Sequence, residues 1–304
     1  MSEAISFFSD GHRLAGDLHL PTDAGGAARL PAVAICPGLG GRRVKGPTRM
    51  AELLAASGRA VLTFDVRGHG DSEGPANRLD PQELVRDVRA AIDFLMGHVA
   101  VDAQRVSAMG MLTGAAAALQ AVSEDNRIAA AVAFFPFGDG GRWLRSLRRY
   151  GEWRLFQEQL RADRATRART GISQVVDADE VIMRGPERLE TDASGGIVAR
   201  DDAPRRRNRR WGLDTADAIL VFRPEDHFHR IAPRPVMVVA VEDDLLMPIE
   251  EVERAYARLG EPKSMLVVPG ISHHEIGEPE HLRPVMAAVG RFLDAVGAAV
   301  TDPA

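Results

Sequence analysis

Arg105-Val106-Ser107-Ala108-Met109-Gly110-Met111-Leu112-Thr113-Gly114-Ala115-Ala116-Ala117-Ala118 decides how this chain folds. The run Arg105–Met109 reads as a strand, Gly110–Gly114 as a turn, and Ala115–Val122 as a helix. A strand that passes straight into a helix across a glycine-flanked turn is a joint of a parallel α/β sheet.

The pattern repeats on both sides of that joint. Upstream, Phe7–Pro21 alternates around Asp10-Gly11 as a hairpin, and the apolar run Ala32–Cys36 ends in Pro37-Gly38-Leu39-Gly40-Gly41. Met50–Ser57 is helical up to Gly58, Ala60–Phe64 is a second buried strand, and Leu84–Met96 has apolar residues at helical spacing. Downstream, Ala129–Phe135 is again a strand. The alternation then breaks and resumes as strand Val236–Val241, helix Ile249–Leu259, strand Ser264–Val268 and helix Leu282–Val296. The expected class is α/β, with a mainly parallel, doubly wound sheet built from residues 1–140 and 231–304.

Residues 141–230 stand apart. They carry amphipathic pieces such as Trp153–Leu160, a loop-like Gly185–Pro204 stretch and the run Arg205-Arg206-Arg207-Asn208-Arg209-Arg210. Of the 38 basic residues only Lys45 and Lys263 are lysines, and this segment holds 19 arginines against 15 acidic residues, in a chain of net charge −5. A positive segment in an acidic body reads as an inserted, largely helical cap. The plain reading of its arginines is a solvated helical face; the sharper one is a lid that meets an anionic substrate.

Composition excludes several classes. The 304 residues are 45% hydrophobic and contain no apolar run of transmembrane length. The start, Met1-Ser2-Glu3-Ala4, shows no signal peptide, and the single cysteine, Cys36, excludes a disulfide framework and a Cys-rich zinc site. These features point to the cytoplasm, with no membrane, nucleic-acid partner, metal or cofactor called for. A homodimer is the default assembly.

Four segments together carry a resemblance: Pro37–Gly41, Asp65-Val66-Arg67-Gly68-His69-Gly70-Asp71-Ser72, the joint at Met109–Ala118, and the late Asp and His segments. In this order, each at a strand end, they resemble the α/β-hydrolase superfamily, and within it the bacterial acyl-hydrolase-like group with a helical cap. The resemblance spans roughly Phe7 to Val296. It implies a nucleophile at the centre of G-x-S-x-G, on a strained turn. Here the segment is Gly110-Met111-Leu112-Thr113-Gly114, with leucine at the centre. An isobutyl group cannot attack a carbonyl. Thr113, Ser107 and Cys36 are not at the apex, so covalent acyl-enzyme chemistry is not expected.

The other positions of the triad are filled. Glu242-Asp243-Asp244-Leu245-Leu246-Met247-Pro248 is similar to the superfamily's acid segment and aligns Asp244 with the acid; Glu242 and Asp243 read as solvated neighbours. Gly270-Ile271-Ser272-His273-His274 resembles the G-x-x-H loop and aligns His273 with the base, His274 being the lesser alternative. By the same resemblance the backbone N–H groups of Leu39 and Thr113 form an oxyanion hole. Trp143, Arg148 and Trp153 are candidates to line a pocket for an anionic or aromatic substrate.

Three readings follow. The first is a His–Asp enzyme without a covalent intermediate, acting on a small carbonyl compound by hydrolysis, C–C cleavage, elimination or cyclisation. The second is a non-catalytic relative that binds a ligand or a partner. The third is a serine-type esterase with an inactivating change at Leu112.

Overall fold

The computed structural model describes residues 1–22, 29–182, 189–191, 197–199 and 210–301. Strands β1 (Ser2–Ser9) and β2 (His12–His19) form the expected hairpin. Its turn places Asp10 at φ 47° and Gly11 at φ 80°, the pair of left-handed residues a two-residue hairpin turn uses. β3 (Leu30–Cys36), α1 (Gly46–Ala56), β4 (Ala60–Phe64), α2 (Pro81–Met96), β5 (Val101–Met111), α3 (Thr113–Glu124) and β6 (Ala131–Phe134) follow. α2 starts where its sequence dictates: the Asp80 carboxylate accepts the Gln82 N–H at 2.9 Å, and Pro81 opens the first turn.

Between β6 and β11 lies the inserted segment. It holds α4 (Gly140–Ser146), α5 (Tyr150–Thr170), β7 (Val175–Asp177), α6 (Ala178–Ile182), β8 (Leu189–Thr191), β9 (Ile197–Ala199), β10 (Arg210–Gly212) and α7 (Leu213–Val221). The chain then returns through β11 (Val236–Val241), α8 (Ile249–Arg258), β12 (Lys263–Val268) and α9 (Pro279–Thr301).

Eight strands make one sheet in the order β1-β2-β4-β3-β5-β6-β11-β12. β1 and β2 are antiparallel to their neighbours, and from β4 to β12 the pairing is parallel. β4, β6 and β11 are buried along their whole length, as strands covered by helices on both faces must be. The fold is that of the α/β-hydrolases.

Two expectations change. The strand read as Arg105–Met109 extends through Met111, because Gly110 and Met111 still pair with Ala133 and Phe134 of β6. The turn therefore shrinks to one residue, Leu112. Secondly, the Gly185–Pro204 stretch is not wholly loop: Leu189–Thr191 pairs antiparallel with Ile197–Ala199, although much of the stretch falls outside the described residues. β7 likewise pairs with β10. The β7–β10 ladder joins residues more than 30 positions apart, beyond the reach of local periodicity, whereas β8 and β9 pair within ten positions. Most of the Arg205–Arg210 run also lies outside the described residues; Arg210 opens β10 and donates to the Val175 carbonyl at 3.1 Å.

Candidate active site

The sharp joint at Leu112 has a steric cause. The residue takes φ 51° and ψ −118°, a left-handed conformation that costs a non-glycine residue about 1–3 kcal/mol. Its N–H is held by the Phe134 carbonyl at 2.9 Å and its own carbonyl accepts the Ala116 N–H at 3.0 Å. The flanking glycines make this possible. A Cβ on Gly110 would stand 2.2 Å from the Gly114 carbonyl oxygen, and one on Gly114 would stand 2.3 Å from that of Pro37. The 37–41 loop thus rests directly on the joint. Leu39 and Thr113, whose N–H groups were expected to face one site, belong to these two touching segments, and both side chains are buried.

Leu112 is only 7% exposed and packs in the main core. Its apex holds no nucleophilic atom. Nor do nearby residues offer an activated one: burial pushes the Cys36 thiol well up, reinforced by the negative charge of Asp87, and Ser107 is buried within β5.

The structure brings Asp244 and His273 together. Asp244 lies just past β11 and His273 on the loop after β12. His273 Nδ1 donates to Asp244 Oδ2 at 2.7 Å, while Asp244 Oδ1 accepts the N–H groups of Leu246 and Met247 at 2.8 and 2.7 Å. The two loops are stitched side by side. Asp243 N–H donates to the Ile271 carbonyl at 3.2 Å, and Gly270 N–H donates to Glu242 Oε2 at 3.0 Å. Glu242, read as a solvated neighbour, is exposed but braces the His loop. His274 is exposed, and its ring meets that of His273 edge-on at 5.2 Å.

One residue of this arrangement escaped the sequence reading. Phe135, placed at the end of a strand, takes φ 54° and turns a buried ring onto His273, with centroids 4.5 Å apart. Pro136 signals that a strand ends there but not that Phe135 is left-handed.

The three candidates in the inserted segment occupy different places. Trp143 is fully buried, stacked on Phe137 at 4.8 Å, and donates its indole N–H to the Leu246 carbonyl at 2.9 Å. Arg148 is 4% exposed, lies 3.8 Å over the Phe156 ring, and donates to the carbonyls of Leu144, Glu180 and Val181. Trp153 is half-buried under the Arg145 guanidinium. Trp143 and Arg148 thus donate to backbone carbonyls inside the protein.

Asp65–Ser72 supports the 37–45 loop. Asp65 Oδ1 accepts the Arg43 N–H at 2.7 Å, and the Arg43 side chain also reaches Asp17 and Asp71 at 2.8 and 2.9 Å. Arg67 is paired with buried Asp87 at 2.5 Å. An open cleft of about 400 Å³ lies elsewhere, lined by Asp80, Gln82, Gln120, Phe222 and His227. It contains neither Asp244 nor His273, so the strand ends carry the stronger chemical argument. Among the described residues no cluster could hold a metal ion, and no helix is long and apolar enough to cross a membrane.

The family described as X-Pro dipeptidyl-peptidase (S15 family) matches residues 10–275. The chain belongs to that family. Within reach of this S15 chain is protein PA2218 of Pseudomonas aeruginosa, 28% identical over 276 residues that cover 88% of this chain and 73% of the relative. The crystal structure of PA2218 matches with a TM-score of 0.79 at 25% identity, over 97% of this chain and 93% of that one. The quorum-quenching protein AidA of Acinetobacter baumannii is 35% identical over 137 residues, 45% of this chain and 44% of AidA. The thiohydrolase aneE of Aspergillus aculeatus is 24% identical over 321 residues, 97% of this chain and 93% of the relative. The S15 chain is hydrolase-like in family and fold.

Proposed function

We propose that this protein is an enzyme acting on the carbonyl group of a small molecule without an acyl-enzyme intermediate. The observation that carries the reading is the 2.7 Å hydrogen bond between His273 and Asp244, in a chain whose joint residue is Leu112. Asp244 holds the Nδ1–H tautomer of His273, which leaves Nε2 as the base. Nε2 takes a proton from water as the oxygen attacks the carbonyl carbon. The carbonyl electrons move to oxygen, where the Leu39 and Thr113 N–H groups stabilise them, each such donor contributing about 2.7–4 kcal/mol in comparable sites. Collapse breaks the bond to the leaving group, which takes the proton from His273. Where the substrate has an acidic C–H instead, the same base and donors support enolate formation and lyase or cyclisation chemistry.

The thiohydrolases among the relatives make acyl thioesters the first substrate class to try. Trp143 and Arg148 are not assigned to the substrate, because the Trp143 indole N–H and both Nη atoms of Arg148 already donate to backbone carbonyls. Residues 141–230 are taken as a cap over the strand ends, in a cytoplasmic protein. The experiment compares native protein with His273→Ala and Asp244→Asn on a panel of acyl thioesters and esters. Loss of roughly 10²–10⁴-fold in turnover is expected for His273→Ala, the usual range for a general base. Unchanged turnover in both variants rejects the reading.

The core burial of Leu112 favours a second reading, a non-catalytic binding relative. It requires no turnover by native protein on that panel, together with ligand binding that His273→Ala leaves intact.

A further inference from the structure

We propose that Trp143 is a positioning residue for Asp244, so that the inserted segment helps to set the acid of the pair. The inference rests on the roles proposed above for Asp244 and His273.

Asp244 sits beyond the last residue of β11, on a loop without regular structure that runs to α8. The sheet therefore does not fix it directly. What does is a chain of hydrogen bonds. Trp143 Nε1–H donates to the Leu246 carbonyl at 2.9 Å, the Leu246 N–H donates to Asp244 Oδ1 at 2.8 Å, and His273 Nδ1–H donates to Asp244 Oδ2 at 2.7 Å. Every link has ordinary hydrogen-bond length.

The far end of this chain is anchored. The Trp143 indole is fully buried and lies parallel to the Phe137 ring, 4.8 Å away with an 11° tilt. Arg142, its neighbour on α4, binds both oxygens of Glu225 at 3.0 and 2.8 Å and Glu251 at 2.7 Å. Glu251 belongs to the first turn of α8, where the acid loop ends. α4 thus holds the loop at Leu246 and the helix that follows it at Glu251. A buried tryptophan needs a partner for its N–H, and here the partner is the loop that carries the acid. Movement of α4 would be transmitted to Asp244 through Leu246.

The test uses the whole 304-residue chain and needs no substrate. Trp143→Phe keeps an aromatic ring against Phe137 and removes only the donor and the second ring. Amide exchange at Leu246 and Met247 should accelerate roughly fivefold, the factor expected for loss of one hydrogen bond. The downfield imidazole N–H resonance of His273 should shift or broaden, while the far-ultraviolet spectrum stays native. Unchanged exchange and an unchanged resonance overturn the proposal. A second measurement covers a variant that does not fold: in native protein the Trp143 indole N–H must exchange far more slowly than an exposed indole, and free exchange overturns the proposal. Where turnover is measurable, Trp143→Phe should lower kcat and leave KM unchanged. Loss of the catalytic reading through an active His273→Ala would leave the exchange results standing, so the two failures are distinguishable.

Discussion

The Phe135 ring lies against the imidazole of His273 at 4.5 Å between centroids, although the two residues come from different strand ends and 138 positions apart. Phe135 makes this contact from a left-handed backbone, φ 54°. Aromatic contacts of this kind contribute about 0.5–1.5 kcal/mol beyond burial. Phe135→Leu keeps an apolar side chain and loses the flat face. Turnover should fall roughly three- to tenfold with KM little changed, if the face orients the base. Equal kinetics in variant and native protein would reduce Phe135 to packing.

Leu112 offers a gain-of-function test. Leu112→Ser places a hydroxyl on the strained joint residue while the His273–Asp244 pair and the 37–41 loop stay in place. Burst release from an activated ester, with a trapped acyl-enzyme detected by mass spectrometry, is the expected result. The absence of any acylation would count against the third reading, an esterase silenced by one change. Removal of a buried leucine side chain should also lower stability by about 2–5 kcal/mol, read from denaturant midpoints.

The joint itself depends on hydrogen in place of a Cβ. Gly114→Ala would drive a methyl to 2.3 Å from the Pro37 oxygen and 2.6 Å from that of Cys36. Both obstacles are backbone, so the segments must separate. A stability loss of about 2–4 kcal/mol is expected, with weaker activity than native protein. Gly151→Ala is the control: its Cβ meets nothing within 4 Å in the first turn of α5, and stability should rise by about 0.5–1 kcal/mol. Equal effects of the two changes would be inconsistent with a steric joint.

Glu225 makes stability depend on pH. Its hydrogen bonds to Arg142 hold the carboxyl below the ordinary carboxylate range, against the opposing effect of burial. A folded-state value below the unfolded one means stabilisation present in full above the unfolded value and lost as pH falls through the lowered folded value. Native protein should therefore lose melting temperature on acidification below the ordinary carboxylate range. Glu225→Gln should start about 1–3 kcal/mol less stable at neutral pH and lose less over that acid window. Parallel melting curves for the two proteins would contradict this account.

Much of the site could be read from local pattern. Apolar strands spaced by helical repeats identify a parallel sheet, because periodicity follows from which faces are buried. Gly110 and Gly114 mark the joint, since a Cβ has no room at either position. Asp244 and His273 were singled out by the resemblance of their segments to the superfamily's acid and G-x-x-H segments, and the geometry puts the two side chains in contact.

Other features depend on neighbours distant in sequence. Trp143 was a candidate for the substrate by residue type, yet its N–H meets Leu246, 103 residues on, and only the folded chain brings that carbonyl within reach. Arg148 likewise reaches carbonyls more than 30 residues away. The same holds for the left-handed Phe135 and for the β7–β10 ladder. By itself the sequence determined the order of strands and helices, the glycine joint and the leucine at its apex, because these are local consequences of side-chain size and polarity. Only the tertiary structure decided which polar groups of the inserted segment are already bound and which ring lies on His273, because hydrogen bonds and ring contacts depend on positions set by the whole fold.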